Sequence, residues 1–297
     1  MKTKSVAFLL LSFISIIVKA DPFSSLRNEI IHSIDKYDAK VGVAVMINDT
    51  DTLTVNNCDK YPMMSVFKFH QALAVCHHLQ KKGMPLDSVI NISKKELREN
   101  TYSPLRDRFP EGNIRISLSE LMEYTLQLSD NNACDILFNR ILSIKDTDRY
   151  IRSLGIDDFS IEIDENDMHE NLANCYRNWT TPMAAVRLIN LFLDGDAVSG
   201  EYYDFIKRTM TECTTGICRL PYPLKNTGAV IGHKTGTGDK NSDGRYIGIN
   251  DIGFIDLPDG DRYLIAVFVK DSAEGYETTE RIIAEISSIV YKNISNQ

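Results

Sequence analysis

Apolar positions change their period as the chain proceeds. Over residues 24–37 they fall at Leu26, Ile30, Ile31 and Ile34, the three-and-four spacing of a helix with one buried face. Val41-Gly42-Val43-Ala44-Val45-Met46-Ile47 is then an almost unbroken apolar run, and Thr52-Leu53-Thr54-Val55 alternates. Together they predict a hairpin turning around Asn48 to Asp51. The far end mirrors this, with strands predicted over 251–257 and 263–269 and joined through Pro258-Asp259-Gly260-Asp261, followed by a helix over 277–291. Between the two ends, from about 61 to 210, helical spacing dominates, and helices are predicted over 65–81, 118–128, 132–142 and 181–193.

Strands clustered at both chain ends and helices between them predict an α+β fold rather than a wound parallel sheet. The economical assembly is one antiparallel sheet built from both ends, flanked by the terminal helices, with an inserted all-α lobe. On this reading residues 21–60 and 213–297 form the α/β lobe and 61–212 the helical one. A cleft between lobes is where a small-molecule site is expected. No internal repeat, low-complexity tract or linker interrupts the chain.

The first 20 residues read as a secretory leader. Lys2 and Lys4 precede an apolar stretch from Val6 to Val18, and Val18-Lys19-Ala20 offers a cleavage site after Ala20. The stretch is shorter than the ~20 residues a membrane span needs, and no later segment approaches that length. The expected product is therefore exported, periplasmic or secreted, without a membrane anchor, and a monomer. Loss of Lys2, Lys4 and Lys19 takes the net charge from -8 to -11, which leaves no electrostatic footprint for nucleic acid.

Six cysteines and six histidines show neither a C-x-x-C pair nor an H-E-x-x-H spacing, so no metal site and no cofactor is expected. Cys76 and Cys134 lie in apolar helical patterns and are expected as buried thiols. Cys213 and Cys218 are close enough in sequence to pair, and the spacing leaves that open.

Three short strings carry chemistry. In Ser65-Val66-Phe67-Lys68 the serine and lysine lie one helical turn apart, on one face. Ser65 at the start of a helix has free backbone N–H groups around it, which suits an attack that creates an oxyanion, although capping alone is also a common use of such a serine. A lysine held beside it out of bulk water can act as its base. Ser129-Asp130-Asn131 falls at a break between helices, where a plain turn is the alternative. There Ser129 is placed to deliver a proton, Asn131 to bond a substrate amide and Asp130 to pin the turn. Lys234-Thr235-Gly236 follows Val230-Ile231-Gly232-His233 and reads as a strand. Gly236 lets a ligand lie against the backbone, Lys234 and Thr235 offer charge and hydroxyl to a carboxylate, and His233 is expected to pack behind the site. All three strings in this order and spacing are expected by chance in well under about one chain in a hundred.

With their flanking residues, Met64 to His70, Gln127 to Asp135 and Gly232 to Thr237, these strings resemble class A serine β-lactamases, within the cephalosporin-hydrolysing PER-like and CfxA-like subgroup. The resemblance covers essentially the whole mature chain. It implies hydrolysis of penicillins and cephalosporins through an acyl-serine, and hence resistance to them. It makes Ser65 the nucleophile, with Lys68 and Ser129 as proton carriers and Glu165 in Asp164-Glu165-Asn166 as the base that activates water. It further implies an oxyanion hole from the backbone N–H groups of Ser65 and Thr237. Arg219 matches a carboxylate-binding arginine, and Tyr102 an aromatic residue at the cleft mouth. Asn131, Lys234, Thr235, Gly236 and Thr237 complete the substrate-binding set.

Two departures stand out. The arginine–aspartate pair that usually ties the Glu165 loop is replaced by Ile163 and Asn178, and His169 stands where an asparagine usually helps hold the water. The loop must be held some other way, and its altered form is expected to admit bulky cephalosporin side chains. The trio is shared with D-alanyl-D-alanine peptidases (penicillin-binding proteins) and with penicillin-sensing domains, and it is Glu165 that points away from both.

Overall fold

A computed structural model describes residues 23–295; the leader and its cleavage site lie outside the described residues. Five antiparallel strands, β1 (Lys40–Ile47), β2 (Asp51–Val55), β3 (Val230–Thr237), β4 (Tyr246–Asp256) and β5 (Arg262–Ser272), form one sheet in the order β2-β1-β5-β4-β3. Both chain ends therefore meet in this sheet, β1 pairing with β5 from Lys40↔Lys270 to Ile47↔Tyr263. The fold is α+β.

The near-continuous apolar run of β1 has a direct cause: both faces of the sheet are covered. Val41, Val43 and Val45 point to one core with Ile265, Val267 and Val269, closed by α1 (Ser24–Ile34) and the C-terminal helix Tyr276–Ser295. Ala44 and Met46 point the other way, with Phe254, Leu264 and Phe268, into the larger core of the inserted helices. At ~25 cal/mol per Å² of apolar area, two such cores are the main stabilising term.

Those helices include α2 (Phe67–Lys82), α3 (Leu118–Leu126), α4 (Asn131–Arg140), α5 (Ile144–Ser153), α6 (Glu165–Glu170), α7 (Pro182–Leu193) and α8 (Glu201–Thr211), with one further short turn of helix over Pro104–Arg108, and the C-terminal helix is α9. Caps set their starts. Asp130, Ser143, Asp164 and Thr181 each accept a backbone N–H three residues on, so α4, α5, α6 and α7 begin where free amides find a side-chain oxygen. Gly83, with φ of 62°, ends α2 in the left-handed cap that glycine favours. The helical part also carries two small sheets, Val89–Ile92 paired with Ile114–Ser117, and Tyr61–Pro62 with Trp179–Thr180 and Phe159–Ser160. The second ties the two ends of the Glu165 loop to the segment entering Ser65. All six cysteines are free thiols, with Cys76 and Cys134 buried.

Candidate active site

The site forms where the start of α2, the turn into α4, the short helix α6 and strand β3 converge. Ser65 lies in a 3-10 turn, Met64–Val66, directly before α2, and its hydroxyl caps neither helix. The preceding residue, Met64, has φ of 47°. Such a conformation is unfavourable for a side chain of this size and is held only where its surroundings enforce it. The enforcing group is Asn250 on β4: its buried amide donates to the carbonyls of Pro62 (2.8 Å) and Met63 (3.1 Å). Gly236 of β3 packs against the same turn, and a Cβ there would collide with the Met63 carbonyl. The glycine of this string is thus required by the nucleophile's own turn, where the strand pattern alone suggested close approach of a ligand.

Lys68 is fully buried and its Nζ sits among four acceptors: Ser65 Oγ (3.1 Å), Ser129 carbonyl (2.7 Å), Asn131 Oδ1 (2.7 Å) and Glu165 Oε1 (2.8 Å). Ser65 Oγ in turn donates to Glu165 Oε1 at 3.3 Å. Ser65 Oγ, Lys68 Nζ and the Glu165 carboxyl group therefore form one closed triangle, and both the lysine nitrogen and the carboxyl oxygen lie within reach of the serine proton.

Ser129 adopts φ of 59°, another strained position at the site, which turns its hydroxyl toward Lys234 Nζ at 3.0 Å. Asp130 supports that turn from below. Its buried carboxylate accepts from Ser103 Oγ, Leu105 N and Ala133 N, joining the start of α4 to the Tyr102 loop. Tyr102 is 58% exposed at the cleft wall. Asn131 spans the two sides, its Oδ1 on Lys68 and its Nδ2 on Thr101 Oγ1 (2.9 Å).

Lys234 is fully buried. Burial, and then the charge of Lys68, pull its ammonium down to about 7. Thr235 Oγ1 lies 2.6 Å from Thr215 Oγ1. Arg219 proves to be almost fully buried at the cleft wall, with all five N–H donors taken: Glu280, the carbonyls of Gly236 and Asn250, Thr237 Oγ1 and Tyr276. Its bond to Thr237 Oγ1 (2.6 Å) orients a hydroxyl that itself faces the cleft. His233, expected to pack behind the site, is buried and pairs with the buried carboxylate of Asp251 at 2.9 Å.

Glu165 is 7% exposed at the start of α6. The loop that carries it is held twice. Asn178 Oδ1 accepts the backbone N–H of Glu162 (2.8 Å) and Ile163 (3.2 Å), and its Nδ2 donates to the Ile163 carbonyl (2.9 Å). Side-chain-to-backbone bonds from one amide thus stand in for the missing ion pair, while Ile163 itself joins the core. From the other side, Asp135 of α4 accepts the N–H of Glu165 (2.9 Å) and Asn166 (3.2 Å) and pairs with Arg98 (3.0 Å). Burial, then the charges of Asp164 and Glu165, push Asp135 up to about 8. His169 is exposed and lines the cleft beside Met168.

The cleft between these groups has a volume of about 650 Å³, and Met168, Leu172 and Cys175 of the Glu165 loop form part of its wall. Among the described residues no group of His, Cys, Asp or Glu is arranged to hold a metal ion, and no helix is long and apolar enough to cross a membrane. Asp135, Asn250 and Glu280 escaped the reading of the sequence. Asp135 had a signal, a carboxylate inside the apolar run Ala133-Cys134-Asp135-Ile136-Leu137 one turn from Asn131. Asn250 and Glu280 had none, because they reach the site from elements remote in the chain.

Comparison with known proteins is consistent across sequence and structure. The profile of the β-lactamase enzyme family matches residues 25–294. A β-lactamase of Bacteroides uniformis is 42% identical over 98% of this chain and 99% of its own length. The extended-spectrum β-lactamase PER-1 of Pseudomonas aeruginosa is 35% identical over 86% and 82%. A crystal structure of a class A β-lactamase from Bacteroides cellulosilyticus, 41% identical, superposes with a TM-score of 0.87 over 92% of this chain and 99% of that one.

Proposed function

Because the chain belongs to the β-lactamase enzyme family, in its class A branch, we propose that it hydrolyses penicillins and cephalosporins through an acyl-serine ester and so confers resistance to them. Ser65 Oγ attacks the lactam carbonyl while Lys68 or Glu165, both in contact with it, takes its proton. The backbone N–H groups of Ser65 and Thr237 receive the oxyanion, each worth roughly 3–4 kcal/mol. Ser129, fed by Lys234, protonates the departing ring nitrogen. The substrate carboxylate meets Lys234 and the hydroxyls of Thr235 and Thr237, with Arg219 acting on it through Thr237. Asn131 bonds the side-chain amide, Gly236 leaves the strand open beside it, and Tyr102 flanks the entrance.

A single observation carries the hydrolytic reading: the Glu165 carboxylate touches both Ser65 and Lys68. Once the ester has formed, a carboxylate there can deprotonate the water that breaks it. The peptidase and sensor readings leave Glu165 without a task. Export by a leader cleaved after Ala20 to the periplasm or medium, a monomeric state, and lobes of 21–60 with 213–297 and of 61–212 belong to the same proposal. The cleft wall supplied by Met168, Leu172 and Cys175 supports accommodation of bulky cephalosporin side chains. Purified enzyme that cleaves penicillins but turns over no cephalosporin would refute that part. The test of the whole is hydrolysis of a chromogenic cephalosporin by wild type and Glu165→Ala: the wild type turns over, and the variant stops after one acylation.

A further inference from the structure

One aromatic side chain at the cleft has no task in the reaction as described. Tyr276 is the first residue of α9, lines the cleft with Thr235 and Thr237, and is 39% exposed. Its ring meets that of Tyr246 edge-on, with centroids 5.8 Å apart and planes at 65°. Such a contact fixes the direction of the ring, and with it the place of the hydroxyl.

That hydroxyl is oriented by the same nitrogen that orients Thr237. Arg219 Nη2 carries two hydrogens. It donates to Thr237 Oγ1 at 2.6 Å and to the Tyr276 hydroxyl at 3.2 Å. For each of these two oxygens this is the one hydrogen bond made among the described residues. A hydroxyl that accepts from a guanidinium turns its own hydrogen away from it, and here that hydrogen has no protein acceptor to meet. The guanidinium cannot serve an anion directly. Its Nε is paired with Glu280 at 3.0 Å, and Nη1 is spent on the carbonyls of Gly236 and Asn250. What Arg219 presents to the cleft is therefore a pair of directed O–H donors.

An ionised carboxylate has two oxygens and about four positions at which it accepts. Lys234 and the hydroxyls of Thr235 and Thr237 would fill three of them. We infer that Tyr276 is a further substrate-binding residue, whose hydroxyl, directed by Arg219, donates to the carboxylate of the β-lactam beside Thr237. The inference rests on the hydrolase reading above. The carboxylate lies outside the bond that breaks, so its bonds are alike in the bound substrate and in the transition state. A residue that serves it acts on KM and leaves kcat almost unchanged.

Tyr276→Phe isolates this bond. The ring that packs on Tyr246 is kept, and Arg219 retains its other four bonds, that to Thr237 included. The test measures kcat and KM of wild type and variant on one chromogenic cephalosporin, as the free acid and as the methyl ester of its carboxylate. With the acid, KM should rise about tenfold and kcat change by less than about twofold, the size and kind of effect expected for one lost hydrogen bond to a charged group. With the ester, which is a poorer substrate of both proteins, kcat/KM of wild type and variant should differ by less than about threefold, since a neutral acceptor forms a weaker bond. An unchanged KM for the acid overturns the inference. Equal losses on acid and ester also overturn it, because they would show that the hydroxyl only shapes the wall. A fall confined to kcat would do the same. A wild type that turns over no β-lactam would instead count against the function proposed above.

Discussion

The two halves of the site are built differently. The nucleophile side rests on regular elements: Ser65 in the 3-10 turn that leads into α2, Lys68 in the first turn of α2, Ser129 pinned by buried Asp130, and Lys234 on a strand paired along its whole length with β4. Lys68 alone engages four acceptors, so no single lost bond frees it. The Glu165 side rests on a loop whose course depends on one amide, Asn178, and one carboxylate, Asp135. Formation of the ester is thus over-determined in its geometry, while breakdown of the ester hangs on a few replaceable bonds. A fold of this kind can vary its loop, and with it the substrate side chains it admits, without disturbing the serine.

The sharpest way to break the comparison is at the serine. Ser65→Ala should abolish the covalent adduct and lower turnover by at least about 10⁴-fold, as loss of an enzyme's nucleophile does. Intact-mass measurement after mixing with a cephalosporin reads this directly, and residual turnover near wild type would remove the mechanism. Glu165→Ala should act on the other half. Its acyl adduct should form and persist, with steady-state turnover lower by roughly 10²–10⁴-fold, the range for a lost general base. An adduct that clears at the wild-type rate would show that another group activates the water.

Asn178→Ala tests how the loop is held. It strips three hydrogen bonds from a fully buried position and leaves the amides of Glu162 and Ile163 and the Ile163 carbonyl without that partner. Each such loss costs about 1–3 kcal/mol where water cannot enter, and partial relaxation should bring the measured destabilisation to about 2–4 kcal/mol. The adduct should still form, but deacylation should slow by about tenfold or more. Equal slowing of both steps would mean that the two halves are less separable than their bonding implies.

What was legible beforehand follows the same division. Ser65 with Lys68, Ser129 with Asn131, and Lys234 with Thr235 each lie within four residues of one another, so each string keeps its members together wherever the chain runs, and for Ser65 and Lys68 the one-turn spacing also gives a common face. The central sheet was legible because apolar runs at both ends of the chain need each other for cover. Helix α5 was not, since only Thr147 and Ile151 of its residues are buried and its pattern reads as polar. The loss of the arginine–aspartate pair could be seen in Ile163 and Asn178, but its replacement could not. A side chain bonding backbone amides leaves no partner residue to notice. The role of Arg219 was legible only as far as a matching position, because its five bonds come from β3, β4 and α9, which meet only in the folded chain.

The smallest expected effect lies on the well-anchored side and comes from pH. Lys234 is buried, and burial together with the Lys68 charge brings its ammonium to about 7, with Cys213, Glu165 and Asp251 pulling the other way. In the free enzyme it is therefore charged below about pH 7 and becomes neutral as the pH rises through that value. The charge that meets the substrate carboxylate, and that supports Ser129 at 3.0 Å, is lost on the alkaline side. The predicted result is a kcat/KM that falls by roughly fivefold between pH 7 and 8, the change in the protonated fraction across that interval. Turnover at saturating substrate should fall less, because a bound carboxylate holds the ammonium charged. Lys234→Arg, which stays charged throughout, should flatten the alkaline limb even where its absolute rate is lower. A limb that survives unchanged in Lys234→Arg would assign the titration to another group and leave the strand side electrostatically inert.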